Sequence, residues 1–338
     1  MSRYPKIAAV AAVTAALVLS GCSSLNASSE DATATTDEFP GSQPITVIIP
    51  LSPGGSTDLM IRGLMGFVED ELGTKIIIEN KVGAGGQVGL TELAGSKPDG
   101  YTIGTTNLPS TLAYINPNKQ ATYTKDSFQP LASVNRFRGL IAASSTGKWK
   151  TLDEMVAAAK AAPGSVTVGV DGLGGDDHIA VVAFEEAAGV KFKIVPFDDG
   201  SEKMTALIGN QIDLSFGAVP TFKAQLDTGS VIALAALDQE PIPGLTDVPT
   251  ATSEGYDVFW EAYNVISAPA GISDEVLAVL EDAIAKGSAA ALKDPTFSKQ
   301  MEAGGYVFGH EDSAWATKTW NDLDAKWQDL VPRALAQN

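Results

Sequence analysis

The chain has 338 residues, 23 Lys plus Arg against 41 Asp plus Glu, a formal charge of −18, one cysteine and two histidines. This acidic balance excludes nucleic-acid binding through a clustered basic face, and a single thiol excludes an internal disulfide, a CxxC redox pair and a thiolate zinc site. With 44% apolar and only 19% charged residues, the chain can bury cores, and its length fits two domains at roughly 150 residues each.

At the N-terminus, Arg3 and Lys6 precede an apolar run over residues 7–19, shorter than the roughly 20 residues of a membrane-spanning helix. A basic start followed by a short apolar stretch reads as a secretory signal. The run closes on Leu19-Ser20-Gly21-Cys22, which resembles a bacterial lipobox, so residues 1–21 are expected to be removed and Cys22 acylated. Loss of Arg3 and Lys6 makes the mature chain more acidic still. Residues 22–43 are rich in Ser, Thr, Ala and Asp and read as a flexible tether, spanning roughly 25 Å as coil.

From Pro44 onward, short apolar runs alternate with helix-length segments. The runs at 45–49, 75–79 and 101–105 suit strands buried on both faces, and those at 166–170, 192–195, 214–216 and 231–237 repeat the pattern. Thr151 and Glu154 form a capping-box signature for a helix whose Leu152, Met155, Val156 and Ala159 share one face, stopped by Pro163-Gly164. Two α/β units follow from this alternation. After Ser273, Val276, Leu277, Leu280 and Ile284 line another helix, and Trp315, Trp320 and Trp327 form a stripe that reads as core packing. No internal repeat of about 20–50 residues is present.

Glycine-rich corners carry whatever chemistry the chain has. Residues 50–58 (PLSPGGSTD) follow one strand and open a helix, so Pro53, Gly54, Gly55, Ser56 and Thr57 can offer unpaired main-chain N–H groups to an anion, with Asp58 free to cap the loop internally; a plain tight turn with a Ser or Thr N-cap is the competing reading. Residues 83–89 (GAGGQVG) superficially resemble a dinucleotide fingerprint. The acid required about 20 residues on is replaced by Thr105, Thr106 and Asn107, which could instead orient a small polar ligand. In the second unit, residues 171–178 (DGLGGDDH), the Phe197-Asp198-Asp199-Gly200 turn and Phe216-Gly217-Ala218 again join strands to helices. His178 beside Asp176 and Asp177 is poor metal-site geometry, because adjacent residues at a helix start point apart. With no GxSxG, HExxH or GxxxxGK[ST], neither a metal nor a cofactor is expected.

Six segments, PLSPGGSTD (50–58), ENKVGAGGQVG (79–89), KPDGYTIGTTN (97–107), GLGGDDH (172–178), LIGNQIDLSFG (207–217) and DVPTATSEGY (247–256), together resemble the signature of tripartite tricarboxylate transporter solute-binding receptors, also called Bug-type proteins. The resemblance covers nearly the whole mature chain. It implies an α/β fold of the type II periplasmic-binding-protein kind, a monomer of two α/β domains with a hinge and an interdomain ligand cleft. Residues 44–143 plus 258–338 form domain 1, residues 144–257 form domain 2, and crossovers fall near Ser144 and Val258. It also implies an extracytoplasmic receptor that captures a small carboxylate (a di- or tricarboxylate, or an amino acid) by cleft closure and delivers it to a permease of one large and one small membrane subunit. Its expected contacts are Pro53 to Asp58, Thr105 to Asn107, Gly174, Gly175, Asp177, His178, Phe197, Asp198, Asp199, Gly217 and Ala218. A secreted α/β enzyme acting on a small carboxylate or ester is the alternative, and a receptor serving a sensor kinase would share the same cleft.

Two departures from the family pattern bear on the ligand. Gly175 and Asp176-Asp177 stand where Ser and an uncharged residue are usual, and Phe197-Asp198-Asp199-Gly200 replaces a frequent Tyr-Lys-Gly turn. If Asp177, Asp198 or Asp199 faced the cleft, repulsion of about 1 kcal/mol per close charge pair would disfavour citrate. A ligand with one carboxylate and a cationic or hydroxyl-bearing other end, such as an amino acid, would be favoured. The competing reading has these acids capping helices and pointing away.

Overall fold

The computed structural model describes residues 39–197 and 200–336. The expected signal at residues 1–21, Cys22, most of the tether, Asp198 and Asp199 lie outside them. The tether as drawn from sequence ends too late: Phe39 stacks edge-on against Tyr101 at 5.1 Å, and the Tyr101 hydroxyl donates to the Pro40 carbonyl. An aromatic side chain with somewhere to bury itself ends the tether before Pro44.

Strands β1 (Ile45–Ile49), β2 (Ile76–Asn80) and β3 (Thr102–Thr105) are parallel, with β1 in the middle. Helix α1 (Ser56–Leu72) and the short α2 (Gln87–Ala94) connect them. Both-face burial explains the unbroken Ile/Val runs: Ile45, Val47, Ile48 and Ile49 are all buried. Next comes β4 (Phe128–Ser144), a 17-residue strand. Its first part, to Arg138, pairs with β9 (Glu261–Pro269), and its middle also pairs with β10 (Val307–Asp312). From Gly139 onward its neighbours are β7 (Leu214–Ala218) and β8 (Val231–Leu237). Parallel strands β5 (Thr167–Val170) and β6 (Lys193–Pro196) extend that side beyond β7. One strand is thus shared by two half-sheets, and its partners change at Arg138/Gly139, ahead of the Ser144 crossover expected from sequence. The chain returns at Trp260, whose N–H donates to Leu237 O (3.0 Å), and Glu261 then pairs with Arg138.

Helices α3 (Leu152–Ala161), α4 (Asp176–Ala188), α5 (Gly200–Ile208) and α6 (Val219–Asp227) pack on the second half-sheet. The Thr151 hydroxyl accepts from Glu154 N (3.2 Å), as the sequence predicts, while the Glu154 carboxylate reaches one residue further back to Lys150 N (2.8 Å). On the first half-sheet, α1 packs against α7 (Asp274–Lys293), followed by α8 (Pro295–Ala303). Helix α9 (Ser313–Leu335) buries Trp320 and Trp327, and Trp327, Leu330 and Val331 join one apolar cluster with Ile179 and Val182 of α4. The tryptophan stripe is core packing, and it ties the C-terminal helix to both halves. Among the described residues no helix is long and apolar enough to cross a membrane.

Candidate ligand-binding site

The carboxyl ends of β3, β5 and β7 bring their loops to one small cavity of about 140 Å³ at the junction of the half-sheets. Asn107, Tyr263 and Asn264 line it from the first half. Asp171, Asp176, Asp177, Lys203, Gly217 and Ala218 line it from the second, and Trp260 sits where the chain crosses back. A larger hollow of about 280 Å³ between α6, α8 and β10 is mostly apolar and contains none of the residues singled out from sequence.

On the first wall the organising atom is the Thr57 hydroxyl, buried in the first turn of α1. It accepts from Asn107 Nδ2 (3.0 Å) and donates to Asn264 Oδ1 (3.4 Å). Fixing one end of each carboxamide leaves Asn107 Oδ1 and Asn264 Nδ2 buried without a hydrogen-bond partner, as is Trp260 Nε1. Buried polar atoms are nearly always paired, since each unmade bond costs about 1–3 kcal/mol. Three on residues around one cavity mark where a polar ligand fits.

The α1 loop plays a different part. Pro53 to Ser56 are exposed, and Gly54, at φ 76°, donates its N–H to Asp58 Oδ2 (2.9 Å). Arg62 (2.6 Å) and Asn80 (2.9 Å) also bond Asp58. Burial alone would raise this carboxyl, but these donors, Arg62 foremost, hold it below the usual carboxylate range. Its charge is therefore engaged within the loop. Thr105 and Thr106 are fully buried; Thr106 bonds Ser267, whereas Thr105 Oγ1 has no partner, and of this trio only Asn107 reaches the cavity.

On the second wall, Gly174 adopts φ 72° and gives its N–H to His178 Nδ1 (2.9 Å). His178 is fully buried. Burial, assisted by the nearby Lys191 charge, pushes its pKa down to about 4, so the ring is neutral and shapes the loop as an acceptor. Gly175 closes the turn through Gly172 O. Asp177 accepts from Asp171 N (2.7 Å), His178 N (2.8 Å) and Lys203 Nζ (2.9 Å). Lys203, 1% exposed, also reaches Asp171 Oδ2 (2.7 Å). Burial opposes its charge, but Asp177 and Asp171 hold its ammonium above the ordinary lysine value. Asp176 is half-buried and has no ion-pair partner among the described residues; burial, then the charges of Asp177 and Asp171, push it up to about 7. Phe197 packs with the apolar cluster of α5 and α6 and does not line the cavity. Asp198 and Asp199 lie outside the described residues.

The sequence therefore brings Asn107, Asp177, Gly217 and Ala218 to the cavity and misses Lys203, Trp260 and Asn264. Lys203 follows Glu202 in an amphipathic pattern and looks like any solvated helix lysine; its partners Asp171 and Asp177 are distant in sequence. Asn264 belongs to β9, which is not among the strands expected from sequence, and Trp260 lies in the return just ahead of it.

Two α/β domains sharing one long strand, with loops from both lining a polar cavity, define a solute-binding protein. The sequence profile of the family described as "Tripartite tricarboxylate transporter family receptor" matches residues 60–334, and the chain belongs to that family of extracytoplasmic receptors. The protein BugT of Bordetella pertussis is 28% identical over 250 residues, covering 73% of this chain and 76% of BugT. A solved structure described as a periplasmic transporter superposes with a TM-score of 0.76 at 28% identity, covering 87% of this chain and 97% of the other. MatC from Rhodopseudomonas palustris, solved with bound malate, shares the fold at a TM-score of 0.72 and 24% identity, over 85% of this chain and 98% of MatC. The family consists of solute-binding receptors, not enzymes, and the alternative of a secreted α/β enzyme acting on a small carboxylate or ester gives way to it.

Proposed function

We propose that the protein captures a small carboxylate in the cavity beside Thr57, Asn107, Trp260 and Asn264, closes around it, and presents it to a permease of one large and one small membrane subunit. The observation that carries this reading is the set of buried, unpartnered polar atoms on the cavity residues. Asn264 Nδ2 and Trp260 Nε1 are neutral donors suited to a carboxylate oxygen. The N-termini of α4 and α6, which open at the cavity residues Asp176 and Ala218, add positive dipole ends without a formal charge. The bound malate in the distant relative MatC agrees with a carboxylate ligand.

The two domains would rotate about the partner exchange in β4 and the return at Trp260. A ligand touching both walls stabilises the closed form by its extra contacts there. The mature protein acts as a monomer held outside the cytoplasmic membrane by acyl chains on Cys22, two or more of which suffice for stable anchoring.

Calorimetric titration of the purified protein with citrate, malate, succinate and aspartate tests the ligand class. The expected result is micromolar binding of at least one, about −8 kcal/mol, with the solute recovered unchanged and a smaller radius of gyration on binding. Absence of binding across the panel, or turnover of the solute, refutes the reading. Mass spectrometry of the membrane-extracted protein checks the anchor: an N-terminal diacylglyceryl cysteine is expected, and an intact unmodified Cys22 refutes it.

A further inference from the structure

The two walls of the cavity are chemically opposite. The first offers buried neutral groups, of which Asn264 Nδ2 and Trp260 Nε1 have no partner although Asn264 is fully buried and Trp260 is 7% exposed. The second carries Asp171, Asp176 and Asp177 against a single cation, Lys203. That cation is already committed, at 2.7 Å to Asp171 and 2.9 Å to Asp177, and is not within ion-pair distance of Asp176. Arg62, the cation at the α1 corner, is bound to Asp58. A solute whose far end was also anionic would face the uncompensated carboxylate across a cavity of about 140 Å³.

We propose that this receptor selects carboxylates that also carry a protonated amine, the carboxylate seated against Asn264 and Trp260 and the ammonium against Asp176, with Asp171 beside it. The proposal rests on the carboxylate reading above and narrows it to amino acids and related zwitterions. Asp177 is not the contact, because its oxygens are occupied by Asp171 N, His178 N and Lys203. Lys203 acts as a positioning residue that draws Asp171 and Asp177 together and leaves Asp176 turned to the cavity as the one acid with no counter-charge.

The charges facing Asp176 are Asp171, Asp177 and Lys203 on its own side, and Glu261 and Lys326, which line the adjoining crevice from β9 and α9. In the empty site this carboxyl is held up to about 7, so near neutrality it is partly protonated. An arriving ammonium favours the ionised form, and binding should expel a proton.

The test compares matched ligands that differ only by the amine, succinate with aspartate and butanoate with γ-aminobutanoate, by titration calorimetry at pH 7 in two buffers of different ionisation enthalpy. The expected result is at least about tenfold tighter binding of the amine-bearing member of a pair, with proton release seen for that member alone. D176N should shrink the ratio to within about threefold. Should that variant fold poorly, the wild-type ratio and proton release decide by themselves. If the plain carboxylate binds as tightly as its amine partner, or the ratio persists in folded D176N, this proposal is overturned while the carboxylate reading stands. If no member of either pair and no other carboxylate binds, both fall together.

Discussion

Replacing Lys203 with methionine removes the ammonium held between Asp171 and Asp177 while keeping most of the side-chain volume. Lys203 is 1% exposed and its closer buried partner, Asp177, is 3% exposed, so the change strands a carboxylate out of water. Breaking such a pair from one side costs about 3–5 kcal/mol. Asp171 is half in solvent and adds little, and two main-chain donors remain on Asp177. The lower end of that range, about 3 kcal/mol, therefore applies. At roughly 2–4 °C per kcal/mol for a chain of this order, the Tm at pH 7.5 should fall by about 6–12 °C. The deficit should shrink towards pH 4. In the variant the isolated Asp177 carboxyl has a folded pKa above its unfolded one, so the folded state is favoured while it is protonated and loses that advantage as pH rises. Thermal unfolding followed by circular dichroism between pH 4 and 8 measures this. K203M together with D177N should recover more than half of the loss. A Tm within about 2 °C of wild type for K203M at pH 7.5, or no recovery in the double variant, would refute the buried-pair argument.

Three further outcomes follow from the same geometry. T57V removes the hydroxyl that fixes Asn107 and Asn264, and should weaken carboxylate binding about 10- to 100-fold in calorimetry while lowering stability by about 1–3 kcal/mol for each of the two carboxamide ends it strands. Asp176 has a folded pKa raised to about 7, so its contribution is present at low pH and lost as pH rises through 7; ligand-free D176N should therefore match wild type at pH 4 and exceed it at pH 8 by about 1–2 kcal/mol after allowing for partial exposure. His178 has the opposite sign: its folded pKa is lowered to about 4, so its contribution is present above 6.5 and lost as pH falls towards 4, about 3 kcal/mol in all. An acid-side decline in chemical-denaturation midpoints of wild type, much reduced in H178L, checks it.

What could be read from the sequence follows the physics of each strand. The inner strands β1, β3, β5 and β7 are largely buried and stand out as apolar runs, and the edge strands β2 and β6, though part-exposed, carry the same apolar signature. Strands β4 and β9 interrupt their apolar residues with Pro130, Asn135, Arg136, Arg138 and Gly139, or Glu261 and Asn264, of which Asn264 lines the cavity, so neither strand reads as a clean apolar run. Asn264 is hidden with them, and Trp260 lies just ahead of β9 in the return. The glycine corners were legible as loops at strand ends, yet their hydrogen bonds were not: Gly54 and Gly174 serve Asp58 and His178 of their own loops. The internal cap by Asp58 was foreseeable from spacing. The pairing of Lys203 with Asp171 and Asp177 was not, since residues 32 and 26 positions apart meet only after β5, α4 and α5 have packed.

A strand that belongs to two half-sheets also bears on durability. In the closure proposed above, a swing of one lobe relative to the other would be absorbed as a change of twist where β4 trades partners, and the rungs of both ladders could stay made. No raw sheet edge is bared in mid-stroke for a neighbouring molecule to zip onto. An extracytoplasmic receptor that closes as proposed would thereby flex through loading and release without exposing a new edge to its neighbours.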